Sequence, residues 1–509
     1  MSTTINRKRI VKNTALLYFR MLVILAVNLF VVRIVLDTLG EEDYGIFNVV
    51  GGVVLMFAFL SSTMANASQR FFAVELGKGN IPRLKQLFSL NLILYGGVAI
   101  IIFILAESIG LWFLNTQMTI PPDRMEAANW VYQFSVLSFM ITILAIPYNA
   151  VIVAREKMNF YAYISIVEAL LRLAIVYLLL IFDFDKLKLY AILTFGVTVI
   201  TNIIYFIYCN RKLEECRFRF YWEKNLFREL LGYSGWNIYG TIAGVFNNQG
   251  INILLNLFFG PVVNAARGIA AQANSAITRF VSNFYTAVYP QITKSYAAGE
   301  HEGVIRLVFQ TSKFCFFLML VLSLPVIIEI PFLLDIWLKD VPDYAVLFTR
   351  LIVFNTLIDT LSYPMTTLAQ ATGRIRKFQL WIGTVQFMVL PVAYILLKSG
   401  FSPEIPFYVS IVISVACLFL RVFLLREMVG LPAGKYLRQV VVPVFTVSVL
   451  SSLLPLTFFL HMDQGFVRLL TVIIATLISV GFFGFTIGLT GSEKQFIIRQ
   501  IKRRMPGKK

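Results

Sequence analysis

The chain is poor in the residues that build metal and redox sites. Among 509 residues it has two histidines and four widely spaced cysteines. No CxxC pair and no HExxH motif occurs, so the sequence predicts neither a zinc site nor a disulfide framework. We therefore expect no metal and no bound cofactor.

Charged residues are also scarce. They make up 14% of the chain, whereas 58% is hydrophobic; a soluble domain is about a quarter charged. The apolar residues are enough for roughly fourteen membrane spans of about 20 residues each. This composition predicts an all-α polytopic membrane protein. The basic start of the chain is followed by no small-residue cleavage site, so the first apolar run is expected to stay as an anchor.

Apolar runs long enough to cross the hydrocarbon predict fourteen spans. They are 14–36, 44–66, 86–114, 128–153, 161–182, 189–210, 230–258, 264–290, 307–334, 345–371, 378–397, 407–425, 440–460 and 468–490.

The basic residues predict the orientation. Of 45 lysines and arginines, 31 lie in the two tails and every second loop, and five lie in the alternate loops. Because positive loops stay inside, both termini are expected in the cytoplasm. The net charge of +18 then reflects attraction to anionic membrane lipids rather than to nucleic acid. No loop exceeds about 20 residues, which leaves no room for a soluble catalytic domain.

Four pairs of landmarks recur at offsets of 217 to 222 residues, which indicates an internal repeat. They are LGEEDYG (39–45) and FGPVVNA (259–265), ELGKG (75–79) and AGE (298–300), IPY (146–148) and YPM (363–365), and KMNF (157–160) and RIRKF (374–378). The repeat is six spans long, so the two copies are expected to be parallel lobes related by a pseudo-twofold axis. The predicted divisions are a basic tail at 1–13, an N-lobe at 14–228, a C-lobe at 229–430, two further helices at 431–490 and a basic tail at 491–509.

The spans follow a pattern of six plus six plus two, with LGEEDYG at the exit of the first span and residues 147–160 at the exit of the fourth. This pattern resembles the polysaccharide-transport branch of the multidrug/oligosaccharidyl-lipid/polysaccharide exporter superfamily. That branch includes O-antigen flippases. The resemblance implies a transporter of the bacterial inner membrane rather than an enzyme. It implies alternating access, in which rocking lobes carry an undecaprenyl-diphosphate-linked oligosaccharide to the periplasmic leaflet. The resemblance also implies a polysaccharide polymerase or a chain-length protein as a partner.

Arginines inside the spans are the candidate ligands for the substrate diphosphate. Guanidinium suits a diphosphate because its fixed fork donates two parallel hydrogen bonds. Arg20 and Arg279 lie deep in the first and eighth spans, and Arg70 and Arg267 lie at the ends of the second and eighth. The resemblance agrees, since lipid-diphosphate flippases of this superfamily have cavity arginines on helices one, two and eight. A structural pair with an acid on another helix is the alternative for each.

Polar stripes at helical spacing predict a wet interior. Their members either bind sugar hydroxyls or bond helix to helix. The candidates are Asn66 on the second span, Asn248 and Asn252 on the seventh, and Gln272 and Asn283 on the eighth.

Acids within the spans are the candidates for proton or sodium coupling. Glu168 stands four residues before Arg172, which predicts a local ion pair or a titratable gate. Asp359 is deep, with no partner evident from the sequence. Five other cations near span ends, Arg33, Lys313, Arg350, Arg421 and Arg468, are expected to extend toward the interface.

Two other functions remain open. A drug or cation antiporter of the same superfamily needs acids and aromatics in its cavity, which the basic and amide-rich stripes disfavour. A membrane transferase or polymerase needs acids at an interface, for which the cluster Glu41-Glu42-Asp43 is the one candidate; a short acidic loop is the other interpretation of this cluster.

Overall fold

The computed structural model describes residues 7–57, 68, 71–72, 75–76, 80–155, 157–491 and 493–495. These residues form helices, turns and loops, with no strand among them. The helices are α1 (Arg7–Leu55), α2 (Ile81–Leu105), α3 (Leu111–Thr116), α4 (Met125–Ala154), α5 (Met158–Ile181), α6 (Lys186–Lys212), α7 (Lys224–Phe259), α8 (Pro261–Ala297), α9 (His301–Trp337), α10 (Ala345–Thr360), α11 (Tyr363–Ala371), α12 (Ile375–Phe387), α13 (Val389–Lys398), α14 (Ile405–Val429), α15 (Ala433–Tyr436), α16 (Val442–His461) and α17 (Phe466–Phe483). Three π-helical turns, Ala106–Gly110, Leu437–Val441 and Gly484–Gly488, continue α2, α15 and α17.

The protein is an all-α polytopic membrane protein. In the part of the chain that the structure describes, eleven helical stretches are long and apolar enough to cross a membrane. Every predicted span overlaps an observed helix. The second predicted span, 44–66, is only partly described: α1 ends at Leu55, and residues 58–66 lie outside the described residues. Several helices run beyond the predicted bounds; α9, for example, has 37 residues. Hydropathy marks the apolar part of a helix, and the backbone hydrogen bonds continue past it.

The backbone supports the internal repeat at its first landmark. Gly40 interrupts α1 with φ 78° and ψ 171°, and Gly260 separates α7 from α8 with φ 79° and ψ −175°. Only glycine adopts this region without strain. Two positions 220 residues apart therefore share one unusual conformation, as expected of equivalent positions in a duplicated fold.

The residues divide into two compact units. Unit 1 comprises Met1–Gly268, Trp337–Pro342 and Leu397–Pro403, and its described core lies among α1, α2, α4 and α6. Burial of Phe88, Tyr95 and Tyr132, all fully enclosed, removes large aromatic surfaces from the surroundings. The hydroxyl of Tyr132 donates to the carbonyl of Ala106 at the π-helical turn, and this carbonyl also accepts from the N–H of Leu111.

Unit 2 comprises Ile269–Ile336, Asp343–Leu396 and Glu404–Lys509, with a core built from α9, α10, α14, α16 and α17. Helices α16 and α17 pack against each other as a pair. This grouping follows packing, whereas the predicted lobes at 14–228 and 229–430 follow the repeat, so the predicted divisions stay a prediction.

Candidate substrate site

Arg279 is the exposed cation of α8. It lies equally far from Pro261 and Ala297, the two ends of this 37-residue helix, and its side chain is exposed. Among the described residues it has no hydrogen-bonding or ion-pair partner. Arg279 lies within the predicted span 264–290, where a guanidinium facing hydrocarbon would be expensive, so we expect it to face water or an anion.

The same face of α8 carries other polar groups. Ser275 is exposed one turn before Arg279, with its hydroxyl bonded to the carbonyl of Ala271. Gln272 is partly exposed a further turn back. The spacing of Gln272, Ser275 and Arg279 places them on one side of α8. Amide and hydroxyl groups beside a guanidinium suit a ligand with phosphate and sugar parts.

Arg267, near the start of α8, has a different environment. It is 8% exposed, and its Nη2 lies 2.5 Å from both the carbonyl oxygen and the Oδ1 of Asn248. Among the described residues its Nε has no hydrogen-bond partner. The contact joins α8 to α7 and favours a packing role for Arg267 and Asn248 in this arrangement.

The other amides of the α7 stripe are also used inside unit 1. Asn252 donates to the carbonyl of Asn48 at 3.1 Å and accepts from Asn264 at 2.7 Å. Asn256 accepts from the N–H of Thr119 at 2.9 Å and donates to its carbonyl at 3.2 Å. Both asparagines are enclosed. The geometry therefore favours helix-to-helix bonding, one of the two alternatives that the sequence left open.

Four predicted site residues have no described side chain. Arg20 lies on α1 and Asn283 lies on α8, but the described part of the structure does not include their side chains. Asn66 and Arg70 lie outside the described residues altogether. Their contact with substrate stays a prediction.

Glu168 and Arg172 form the local ion pair that their spacing predicts. The Oε1 of Glu168 accepts from Nη2 and Nε of Arg172 at 2.9 and 3.2 Å. Both side chains are more than a third exposed, on the middle of α5. The pair uses one oxygen of the Glu168 carboxylate. The titratable gate that the sequence also predicts stays a prediction.

Asp359, in contrast, has partners that its own sequence neighbourhood did not reveal. Asn355, one turn earlier on α10, donates to its Oδ2 at 3.2 Å. From α14, Ser414 hydrogen-bonds to it and Arg421 attracts it electrostatically. The sequence missed these two because they lie more than fifty residues away, and only packing of α10 against α14 brings them close.

The prediction that Lys313, Arg421 and Arg468 extend toward the interface is wrong, because all three are buried. Lys313 pairs with Glu493 at 2.6 Å. Arg421 donates to the hydroxyl of Ser362 at 3.0 Å. Arg468 holds Glu329 through two hydrogen bonds of 2.8 Å. Burial of a charge in a membrane protein is tolerated where a partner compensates it.

Asp43 of the acidic cluster has a structural partner. Arg124, in the loop before α4, bonds Asp43 at 2.5 and 2.8 Å and Asp185 at 2.7 Å. Asp185 also caps α6 through the N–H of Lys188 at 3.0 Å. One guanidinium thus joins three elements of unit 1. This arrangement leaves the carboxylate of Asp43 occupied and favours a structural role over the catalytic one.

The chain matches the family described as polysaccharide biosynthesis protein over residues 10–296. It belongs to this family. No curated protein matches it by sequence. Among solved structures it is similar to the lipid II flippase MurJ in an inward closed conformation, with a TM-score of 0.62, 11% identity, and coverage of 97% of this chain and 100% of that one.

Two drug transporters share the fold. The MATE multidrug transporter DinF-BH gives a TM-score of 0.59 at 13% identity, covering 84% of this chain and 97% of its own. An outward-facing MATE family multidrug resistance transporter of the MOP superfamily gives a TM-score of 0.54 at 14% identity, covering 83% of this chain and 96% of its own. The fold of this family member is therefore the flippase and transporter fold of that superfamily, as the sequence resemblance predicted.

Proposed function

We propose that the protein is a flippase that moves an undecaprenyl-diphosphate-linked oligosaccharide from the cytoplasmic to the periplasmic leaflet of a bacterial inner membrane. The product would serve assembly of a surface polysaccharide, such as O-antigen, capsule or exopolysaccharide. Transport would proceed by alternating access, with both termini in the cytoplasm. Family membership supports the polysaccharide context, and the fold it shares with a lipid II flippase supports the type of movement.

The observation that carries this proposal is Arg279. It is an exposed cation at the middle of a long helix, without a described acid to neutralise it. The three buried cations of unit 2 described above each have a protein partner, so they are committed to the fold. An uncommitted guanidinium at membrane depth suits the diphosphate of a lipid carrier, to which it donates a fork of hydrogen bonds. Arg20 is the second proposed phosphate ligand.

The alternative, a multidrug or cation antiporter, shares the fold. An organic cation would be repelled by Arg279, and its cavity would need an uncommitted acid. Of the described acids within spans, Glu168 and Asp359 each already face a cation. We keep both groups as proposed sites of proton or sodium coupling. A polymerase or transferase is less favoured because Asp43 is held by Arg124.

The test uses full-length protein in liposomes that contain a labelled undecaprenyl-diphosphate oligosaccharide. We expect the unmodified protein to make the inner-leaflet substrate accessible to an external glycan-modifying reagent. Arg279→Ala should reduce this rate by about a hundredfold, because an interaction with a diphosphate is lost at low dielectric. Arg279→Lys should retain part of it, since a lysine keeps the charge and loses the fork.

Arg426→Gln is the matched control, because Arg426 is an exposed cation in the last turn of α14. It should transport at the unmodified rate. Normal rates in Arg279→Ala and Arg20→Ala would overturn the proposed phosphate ligands. Export of an organic cation that Arg279→Ala leaves intact, without movement of lipid, would favour the antiporter. In cells that lack the protein, lipid-linked sugar should accumulate in the inner leaflet; a translocated but unpolymerised intermediate would favour a polymerase.

A further inference from the structure

A cavity of about 640 Å³ lies in unit 2 between the starts of α15 and α16 and the end of α17. The charge pattern predicts that this end of the three helices faces the cytoplasm. All three helices are outside the six-span repeat. The cavity is lined by Gly434, Lys435, Arg438, Gln439, Pro443, Ile487, Gly488, Leu489 and Thr490.

The lining carries positive charge. Lys435 and Arg438 are exposed and stand three residues apart, so they project from the same side of their helical segment. Among the described residues neither has a hydrogen-bonding or ion-pair partner. Gln439 beside them is exposed and adds an amide donor. Three donor side chains therefore meet at one cavity.

The nearby acid does not cancel this charge. Glu493 accepts from Lys313 at 2.6 Å and from the N–H of Thr490 at 2.7 Å. Lys313 also donates to the carbonyl of Gly488 at 3.2 Å, which fixes the wall of the cavity. Because Glu493 and Lys313 neutralise each other, the charge that remains at the cavity is that of Lys435 and Arg438.

Two π-helical turns contribute residues to the lining of the cavity. Leu437–Val441 carries Arg438 and Gln439, and Gly484–Gly488 supplies Ile487 and Gly488. A π-turn widens the helix and re-aims its side chains, and such turns occur often at functional sites. Two of them at one cavity constitute a second observation, independent of the charge.

Exposed apolar side chains lie in or next to the segments that line the cavity. Val442 and Phe445 of α16 and Ile487 after α17 are exposed. A ligand with a phosphate head and an acyl chain would place its head among the cations and its chain along these residues. A free inorganic phosphate would use the cations alone.

We propose that this cavity binds the phosphate group of an anionic phospholipid of the inner leaflet, with Lys435 and Arg438 as its charged ligands and Gln439 as a neutral donor. The site is separate from Arg279, and the inference does not depend on the proposed transport function. A bound lipid at this position would stabilise the pair α16 and α17 against the rest of unit 2.

The test measures bound lipid on full-length protein by native mass spectrometry after delipidation. Phosphatidylglycerol, phosphatidylcholine and inorganic phosphate are added separately. We expect phosphatidylglycerol to bind and to raise the thermal unfolding midpoint, with little effect of phosphatidylcholine. The double variant Lys435→Gln with Arg438→Gln should weaken phosphatidylglycerol binding by about tenfold or more, because two phosphate contacts are lost.

Two further variants make the result specific. Gly434→Leu should also weaken binding, because Gly434 lines the cavity and a Cβ atom added there meets no atom within 4 Å, which leaves room for a leucine side chain to occupy the cavity. The control, Arg211→Gln with Lys212→Gln, removes two exposed cations at the end of α6 and should bind lipid as the unmodified protein does. A shift with inorganic phosphate alone would support the phosphate site and assign it a soluble ligand. Equal weakening in the control pair, or no weakening in the double variant, would overturn the proposal.

Discussion

Gly45 and Pro261 approach so closely that a methyl group on Gly45 would overlap the carbonyl oxygen of Pro261. The two residues belong to the two copies of one sequence landmark, LGEEDYG and FGPVVNA. A second contact of this kind joins Asn48 and Gly268, where an added methyl group would lie 2.9 Å from the Asn48 side chain. Asn48 and Gly268 are separated by the offset of the repeat, so equivalent positions of its two copies contact each other within unit 1.

Gly45→Ala is expected to destabilise the protein by about 3 kcal/mol or more, because the neighbouring atom is backbone and has no rotamer in which to avoid the methyl group. The measurement is the thermal unfolding midpoint in detergent. Gly51→Ala is the control on the same helix, since a methyl group there meets nothing within 4 Å. Equal stability of both variants would contradict the observed approach of α1 to the start of α8.

The pair Glu329 and Arg468 is expected to be costly to break from one side. Glu329 is fully enclosed, and Arg468 also lies 4.7 Å from the ring of Phe459. Glu329→Ala should cost about 3 to 5 kcal/mol because it leaves a buried charge without its partner. Glu329→Leu combined with Arg468→Met should recover most of the loss, which a double-mutant cycle measures. Lys377→Gln, in the exposed pair with Glu427, should change stability little.

The three-element contact of Arg124 predicts a difference between arginine and lysine. Arg124→Lys keeps the charge but cannot bond Asp43 and Asp185 through separate nitrogens of one planar fork. We expect Arg124→Lys to lower the thermal midpoint, and Arg124→Ala to lower it further. Lys85→Gln, which removes a 3.4 Å contact to an exposed Glu214, is the comparison. An Arg124→Lys variant as stable as the unmodified protein would show that a positive charge at position 124, without the planar fork, is enough to stabilise the contact.

Glu223 predicts a pH dependence. Hydrogen bonds from Arg83 and Tyr221 hold the pKa of Glu223 at about 2. A carboxylate with a depressed pKa stabilises the fold above its unfolded pKa of about 4.3, and this contribution is lost as the pH falls toward 2. The midpoint difference between the unmodified protein and Glu223→Gln should therefore be constant from about pH 7 to 5 and shrink from about pH 5 to 3.

Glu214→Gln is the control for that series. Glu214 is mostly exposed and its contact to Lys85 is long, so its removal should leave the midpoint nearly unchanged at about pH 6. A difference for Glu223→Gln that grows as the pH falls below about 5 would have the wrong sign and would exclude the proposed stabilisation by Arg83.

The order of the apolar helices could be predicted because hydropathy is a local property of the chain. The same holds for the pair Glu168 and Arg172, since a spacing of four residues places two side chains together on any α-helix. The helix break at Gly40 could also be located, because the landmark LGEEDYG is a local feature of the sequence. A glycine followed by acids between two apolar runs marks a turn without knowledge of the fold.

The roles of the deep polar residues could not be predicted in this way. Arg267 and Arg279 lie on one helix and are both candidate phosphate ligands by sequence, yet the first bonds Asn248 and the second is exposed. Lys313 and Glu493 are 180 residues apart. Whether a charge in a span is compensated depends on which distant helix packs against it.

The sequence by itself therefore determined the class, the spans, the repeat and the set of candidate arginines, because these follow from composition, periodicity and spacing along the chain. Only the tertiary structure decided which cations are committed to buried partners and which remain exposed. The physical reason is that the energy of a charge depends on the groups and solvent around it, and those are assembled by contacts between residues far apart in the sequence.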